Sequence, residues 1–188
     1  MTHLLRLCIA VLLAACTASQ ARADDGAWAA LRDHAAVLIT RHAQTEPGIG
    51  DPPGFRLDDC ATQRNLSEAG RAQAAAIGRQ LADRGVKVVR VESSRWCRCI
   101  DTARLAFPGV EVRPVDALNS FFSERNAEPS QTGALRTRIG QWRGPGVLVL
   151  VTHQVNITAL TGRSVGPGEG LVLQQDAAGP RVAGAVQF

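Results

Sequence analysis

The sequence predicts a three-layer α/β/α fold built on a mainly parallel central sheet. Three observations lead there. Short runs of branched apolar residues, suited to buried strands, alternate with longer amphipathic segments suited to helices. Most connections between runs pass through such a helical segment, which is how parallel strands are joined and both faces of their sheet covered. At 188 residues, 45% hydrophobic and 20% charged, the chain is long enough to bury a substantial core.

Ala35 to Thr40 (AAVLIT) reads as the first strand. The segment from Ala43 to Asn65, with Pro47, Pro52 and Pro53, shows no regular pattern. Connections that long in a compact domain are usually functional or disordered. Ser67 then caps a helix whose first turn is supported by Glu68. Leu66, Ala69, Ala72, Ala76, Ile77 and Leu81 form its apolar stripe, and Gly85 stops it. Val86 to Val91 reads as the second strand, and Trp96 to Ala106 as a helix ended by Pro108. A short strand over Val110 to Val115 and a helix over Pro129 to Trp142 follow. Gly146 to Thr152 (GVLVLVT) is the strongest buried strand of the sequence. Asn156 to Thr161 reads as a short helix ending at Gly162. Leu171 to Gln175 and Val182 to Phe188 close the sheet as a strand pair.

The N-terminus has a different character. A positively charged start over Met1 to Arg6 leads into the apolar run Leu7 to Ala15, too short to span a bilayer. Ala21-Arg22-Ala23 then offers a small-x-small cleavage pattern, so residues 1–23 read as a secretory signal and 24–188 as a single domain. A competing site, Leu13-Ala14-Ala15-Cys16, would make Cys16 a lipid anchor rather than part of a discarded leader. The expected location is therefore periplasmic or secreted, with a Cys16-anchored lipoprotein as the alternative. No membrane span is expected. Removing the leader takes Arg6 and Arg22 and no acid, reducing the net charge from +4 to about +2. That mild excess gives no argument for nucleic acid as a partner. Cys60, Cys97 and Cys99 remain. In an oxidising compartment these suggest one disulfide, Cys60 with either Cys97 or Cys99, and one free thiol. A three-cysteine metal site has no CxxC and no fourth ligand at zinc spacing to support it.

In mainly parallel sheets ligands bind beyond the carboxyl ends of the strands. There the first strand runs into Arg41-His42, and the second into Ser93-Ser94 with Arg98 a helical turn further on. The strand over Gly146 to Thr152 runs into His153. A neutral imidazole can attack phosphorus and carry the phosphoryl group. Guanidinium groups match the oxygens of that group with paired donors, and a second imidazole can donate a proton or share charge. The set requires neither a metal nor another cofactor. Its partner would be a small phosphorylated substrate.

Four ordered blocks resemble the histidine phosphatase superfamily, relatives of phosphoglycerate mutase and acid phosphatases. Leu38-Ile39-Thr40-Arg41-His42-Ala43 resembles its Arg-His-Gly signature. Leu66-Ser67-Glu68-Ala69-Gly70-Arg71-Ala72-Gln73-Ala74 resembles its L-[ST]-x-x-G-x-x-Q-A helix. Ser93-Ser94 to Thr102-Ala103 resembles its S-S-x-x-x-R-x-x-x-T-A block, and Val149 to His153 the strand bearing its second histidine. The resemblance implies a phosphoglycerate mutase-like fold and a phosphatase in which His42 is the phosphorylated nucleophile. Arg41, Arg98 and His153 would bind the phosphoryl group. The leader-plus-domain layout is similar to small periplasmic members acting on lipopolysaccharide-core heptose phosphate.

The sequence departs from that pattern in three places. Ala43 replaces the signature glycine. Ser120 stands where the mutase-like branch has an acid, in Leu118-Asn119-Ser120. Gln154 stands where the phytase-like branch has an Asp after its second histidine. Glu124 is the nearest replacement proton donor, with Asp116 and Glu128 as rivals. Arg64 is a further candidate for substrate contact. His34 reads as structural, and Phe121 and Phe122 as packing. Without its usual acid, the chain could also be a catalytically weak or inactive protein that binds phosphorylated ligands. A mutase-type isomerase is a third reading.

Overall fold

The computed structural model describes residues 25–32, 35–176 and 179–188. The proposed leader, Cys16 and His34 lie outside them. A helix, α1, covers residues 25–32. It is followed by β1 (Val37–Arg41), α2 (Glu68–Asp83), β2 (Val88–Ser93), α3 (Cys97–Ala106), β3 (Val112–Pro114), α4 (Glu128–Gly140), β4 (Val147–Thr152), α5 (Gln154–Thr161), β5 (Gly170–Asp176) and β6 (Gly179–Val186). The strands form one sheet in the order β3-β2-β4-β1-β5-β6. Pairings among β3, β2, β4 and β1 are parallel, and β5 and β6 add an antiparallel edge. The sheet is thus mainly parallel, as the alternation of elements predicts.

Strand alternation sorts the core into two halves. Leu38, Val149, Val151 and Val172 face α1, α2 and α3, packing with Leu31, Ile77, Leu81 and Ala103. Val37, Ile39, Leu148, Leu150 and Leu171 face α4 and α5, packing with Leu135, Ile139, Trp142 and Ile157. These side chains are almost fully buried, and helices cover both faces.

The second strand lies two residues further along the chain than Val86–Val91. Glu92 and Ser93 belong to it, buried despite their polarity. Glu92 is tolerated there because the Arg138 guanidinium of α4 donates to both its carboxylate oxygens, 2.9 Å at Nη2 and with a second bond from Nε. The strand at 110–115 shrinks to three residues at the sheet edge. The helix expected over Pro129–Trp142 starts one residue earlier and ends at Gly140. Ala35 does not join β1, because its φ of +65° lies outside the strand range.

Candidate active site

The pocket sits at the carboxyl ends of β1, β2 and β4. Arg41 closes β1 opposite Thr152 of β4, so the residues that follow, His42 and His153, emerge side by side from adjacent parallel strands. Their ring centroids are 5.5 Å apart. Arg98 lies in the first turn of α3, with Nη2 3.5 Å from His153 Nδ1. His42, His153 and Arg98 are all at least nine-tenths buried.

The backbone after His42 is held from three directions. Ala43 N–H donates to Thr102 Oγ1 at 3.0 Å, and Thr102 in turn donates to the carbonyl of Arg98. Gln44 N–H donates to Gln73 Oε1 at 3.0 Å, while Gln73 Nε2 donates to the Pro167 carbonyl. Gly70 of α2 lies so close that a Cβ there would sit 1.8 Å from the Gln44 carbonyl oxygen. Ser67 caps that helix by accepting from Gly70 N–H. The Ser, Gly and Gln positions of the second sequence block therefore shape the chain just beyond His42. Ala43 has no positive φ, so a side chain is tolerated at the signature's glycine position.

The two imidazoles have defined tautomers. His42 Nδ1 lies 2.8 Å from the Ala43 carbonyl, which can only accept. The proton therefore sits on Nδ1, and Nε2 carries the free lone pair. His153 Nε2 lies 2.8 Å from Ser94 Oγ, and Nδ1 faces the Arg98 guanidinium, which can only donate. His153 thus donates through Nε2 to Ser94, whose hydroxyl is passed on to Asn119 Oδ1. Burial, aided by the charge of Arg98, pushes the His42 imidazole down to about 3 against a weaker upward pull from the Ala43 carbonyl. Burial, Arg98 and the other cations hold His153 well below its ordinary value too. Both rings are neutral at physiological pH.

The surrounding cations are only partly satisfied. The buried Nε–H groups of Arg41 and Arg98 meet no acceptor among the described residues. Burial, with Arg64 and Arg98 nearby, lowers the Arg41 pKa. Arg64 is half-buried on the pocket wall, its Nε donating to the Gly50 carbonyl at 2.8 Å.

Residues 37–127 match the sequence pattern of the histidine phosphatase superfamily (branch 1). The match spans just under half of the 188 residues. No curated protein matches it in sequence. Among solved structures, a SixA protein from Agrobacterium tumefaciens is 24% identical. That alignment covers 82% of this chain and 99% of the other, with a TM-score of 0.55. A mycobacterial glucosyl-3-phosphoglycerate phosphatase in complex with VO3 is 20% identical over 78% and 96% of the two chains, TM-score 0.58. A phosphoserine phosphatase from Entamoeba histolytica, complexed with 3-phosphoglyceric acid, is 14% identical over 81% and 97%, TM-score 0.62. These likenesses establish a shared fold.

The pocket gathers Arg41, His42, Arg64, Arg98 and His153, and Glu124 reaches its wall as an exposed side chain. Asp116 is instead engaged at the surface with Arg95 and Asn119, and Glu128 is exposed at the start of α4. Cys60 and Cys97 form the disulfide, and Cys99 stays reduced. Cys99 is fully buried, and burial pushes its thiol up to about 12. Sequence reasoning missed Asp51. Its carboxylate takes both arms of Arg98, 2.7 Å at Nη1 and 3.2 Å at Nη2, and accepts from Trp96 Nε1 and Arg64 N–H, each at 3.0 Å. Burial alone would raise the Asp51 carboxyl, but Arg98 and these donors together hold it below its ordinary value. The length of the Ala43–Asn65 segment was the available signal.

Proposed function

We propose that the protein is a phosphomonoesterase acting on a small phosphorylated substrate through phosphohistidine at His42. The observation that carries this is the free Nε2 lone pair of a neutral, buried His42 beside His153, Arg41 and Arg98, the buried Nε–H groups of both arginines having no acceptor among the described residues. An oxyanion would answer those donors, which otherwise cost roughly 1–3 kcal/mol each. His42 Nε2 attacks phosphorus as the bond to the ester oxygen breaks, and the electron pair leaves with that oxygen. Arg41, Arg98 and Arg64 stabilise the equatorial oxygens. Water then displaces the imidazole and releases inorganic phosphate. Glu124, the exposed carboxyl on the pocket wall, supplies the proton to the leaving alkoxide. Asp51 is unsuited to that task, since Arg98 holds it ionised. The named phosphatase activities of the structural relatives support the reading. The leader-plus-domain layout taken by itself points to sugar phosphates or lipopolysaccharide-core phosphate, and the lining of the pocket bears on that choice separately.

His42→Ala should lose at least about a thousandfold in turnover of an aryl phosphate while keeping its circular dichroism spectrum. Labelled phosphate should be trapped on wild-type His42. Undiminished turnover in the variant would refute the mechanism. The missing family acid favours a second reading, a protein that binds phosphorylated ligands without turning them over. Calorimetric binding with no phosphate released across a substrate panel would select it. The sequence of residues 1–23 and the Cys60–Cys97 disulfide support an exported protein, periplasmic or secreted, with lipidation at Cys16 as the alternative. Mass spectrometry of the mature N-terminus distinguishes Asp24 from lipidated Cys16.

A further inference from the structure

The pocket is much larger than a phosphoryl group, and its walls differ from its floor. It encloses about 820 Å³, within the ~300–1,000 Å³ range of sites that take whole small molecules. The floor is cationic, formed by Arg41, Arg64 and Arg98. Above it one wall is aromatic: the Trp96 ring stands edge-on to His153 at 5.3 Å, and Phe55 packs on Trp96 at 5.7 Å. Phe121 and Phe122 line the same cavity. Among the described residues the exposed large apolar side chains are Ile49, at 92%, and Phe122, at 48%. Both lie at this same pocket, on different segments of the chain. Ile49 is held between Gly48 and Gly50, whose φ values of +134° and +72° few other residues adopt, so the turn presents a branched apolar side chain to water. Apolar surface concentrated at the rim of a polar cavity marks a ligand that is itself apolar there.

We infer that the substrate is an amphipathic phosphomonoester, whose phosphate meets the arginines while an alkyl or aryl alcohol portion packs on the apolar lining that Phe55, Trp96, Phe121, Phe122 and Ile49 provide. The inference rests on the phosphoryl-site reading of the same pocket. Its chemistry is shared by soluble alkyl or aryl phosphates and by lipids with a terminal phosphate.

The test measures binding, so it does not depend on turnover. Calorimetry on the full mature chain compares methylphosphonate, octylphosphonate and the phosphonate analogue of glucose 6-phosphate. Each fully buried methylene strengthens binding by up to about fourfold, so burying only a few of the seven added groups should favour octylphosphonate over methylphosphonate by at least about thirtyfold. In Ile49→Ser and Phe122→Ser that ratio should fall at least fivefold. Co-sedimentation with phosphatidylcholine vesicles, with and without phosphatidic acid, then assigns the source. Capture only by the acid-containing vesicles identifies a lipid, and octylphosphonate binding without capture a soluble ester. Equal affinity for the methyl and octyl compounds, or preference for the sugar analogue, would overturn the inference and leave the phosphoryl site standing. Failure of all three phosphonates to bind would remove both.

Discussion

At the scale of single residues, the pocket is a set of buried groups that constrain each other's charge. His42 is neutral when folded, with its pKa pushed down to about 3, whereas an unfolded histidine titrates near ~6.5. Between these values the unfolded chain binds a proton that the folded His42 refuses. The contribution of His42 to stability is therefore complete above pH ~6.5 and is lost as pH falls toward 3, by up to about 1.4 kcal/mol per pH unit. Urea unfolding at pH 7 and pH 5 should show about 2 kcal/mol of this loss, absent in His42→Asn. His153 shifts in the same direction and adds to the slope. Asp51 makes a second prediction. Its carboxylate and the Arg98 guanidinium are both more than nine-tenths buried, so Asp51→Asn leaves a buried cation short of charge. Its melting temperature should fall by several degrees, and added orthovanadate should raise it more than in wild type, since the oxyanion restores the missing charge. A smaller vanadate gain in the variant would contradict this account. Arg41, His42, Arg98 and His153 are legible in the sequence because each ends a strand, directly follows one or lies a short turn beyond one. Asp51 is not, because a loop carboxylate is defined by the partner it finds across the fold.

At the scale of elements, the sequence periodicity locates each strand and α-helix described after residue 34 but none of the three short 3-10 turns, with errors where polarity and burial part company. Glu92 ends the apolar run of β2 but not the strand, because its partner Arg138 comes from a helix far along the chain. Residues 25–32 carry a short helical spacing, Ala27, Ala30 and Leu31, that the reading of the sequence passed over, and all three are buried in the core. The spacing Ser67, Gly70, Gln73 on α2 explains itself once the helix is seen touching Gln44. Gly70→Ala should therefore cost about 1–3 kcal/mol through overpacking against backbone. It should also slow turnover, because the displaced carbonyl lies two residues beyond His42. Chemical denaturation and steady-state kinetics on the one variant check both effects.

At the scale of the whole molecule, the long Ala43–Asn65 segment is fastened to the domain at several points. Arg64 donates to Gly50 and Thr45, Asp51 grips Arg98, and Cys60 is bonded to Cys97, the residue before Arg98. The bonded cysteines are 37 positions apart, so removing the crosslink should cost roughly 3–4 kcal/mol. For a chain of this size that lowers the melting temperature by roughly 10 °C. The paired change Cys60→Ser and Cys97→Ser should show it by calorimetry, and should also weaken vanadate binding, because the released segment carries Asp51 and Arg64. The sequence alone left Cys97 and Cys99 as equal candidates to pair with Cys60. The difference between them is one of facing: Cys99 is buried against Thr152 and His153.

The adjacency of β1 and β4 has a last consequence for how the protein fails. Because the two imidazoles follow strands more than a hundred residues apart, no short contiguous fragment contains both rings. Any event that slides or parts this one pair of strands separates the rings while the outer helices are still wound. Phosphate release is then the earliest casualty of mild heating or dilute urea, lost before the helical signal begins to decay.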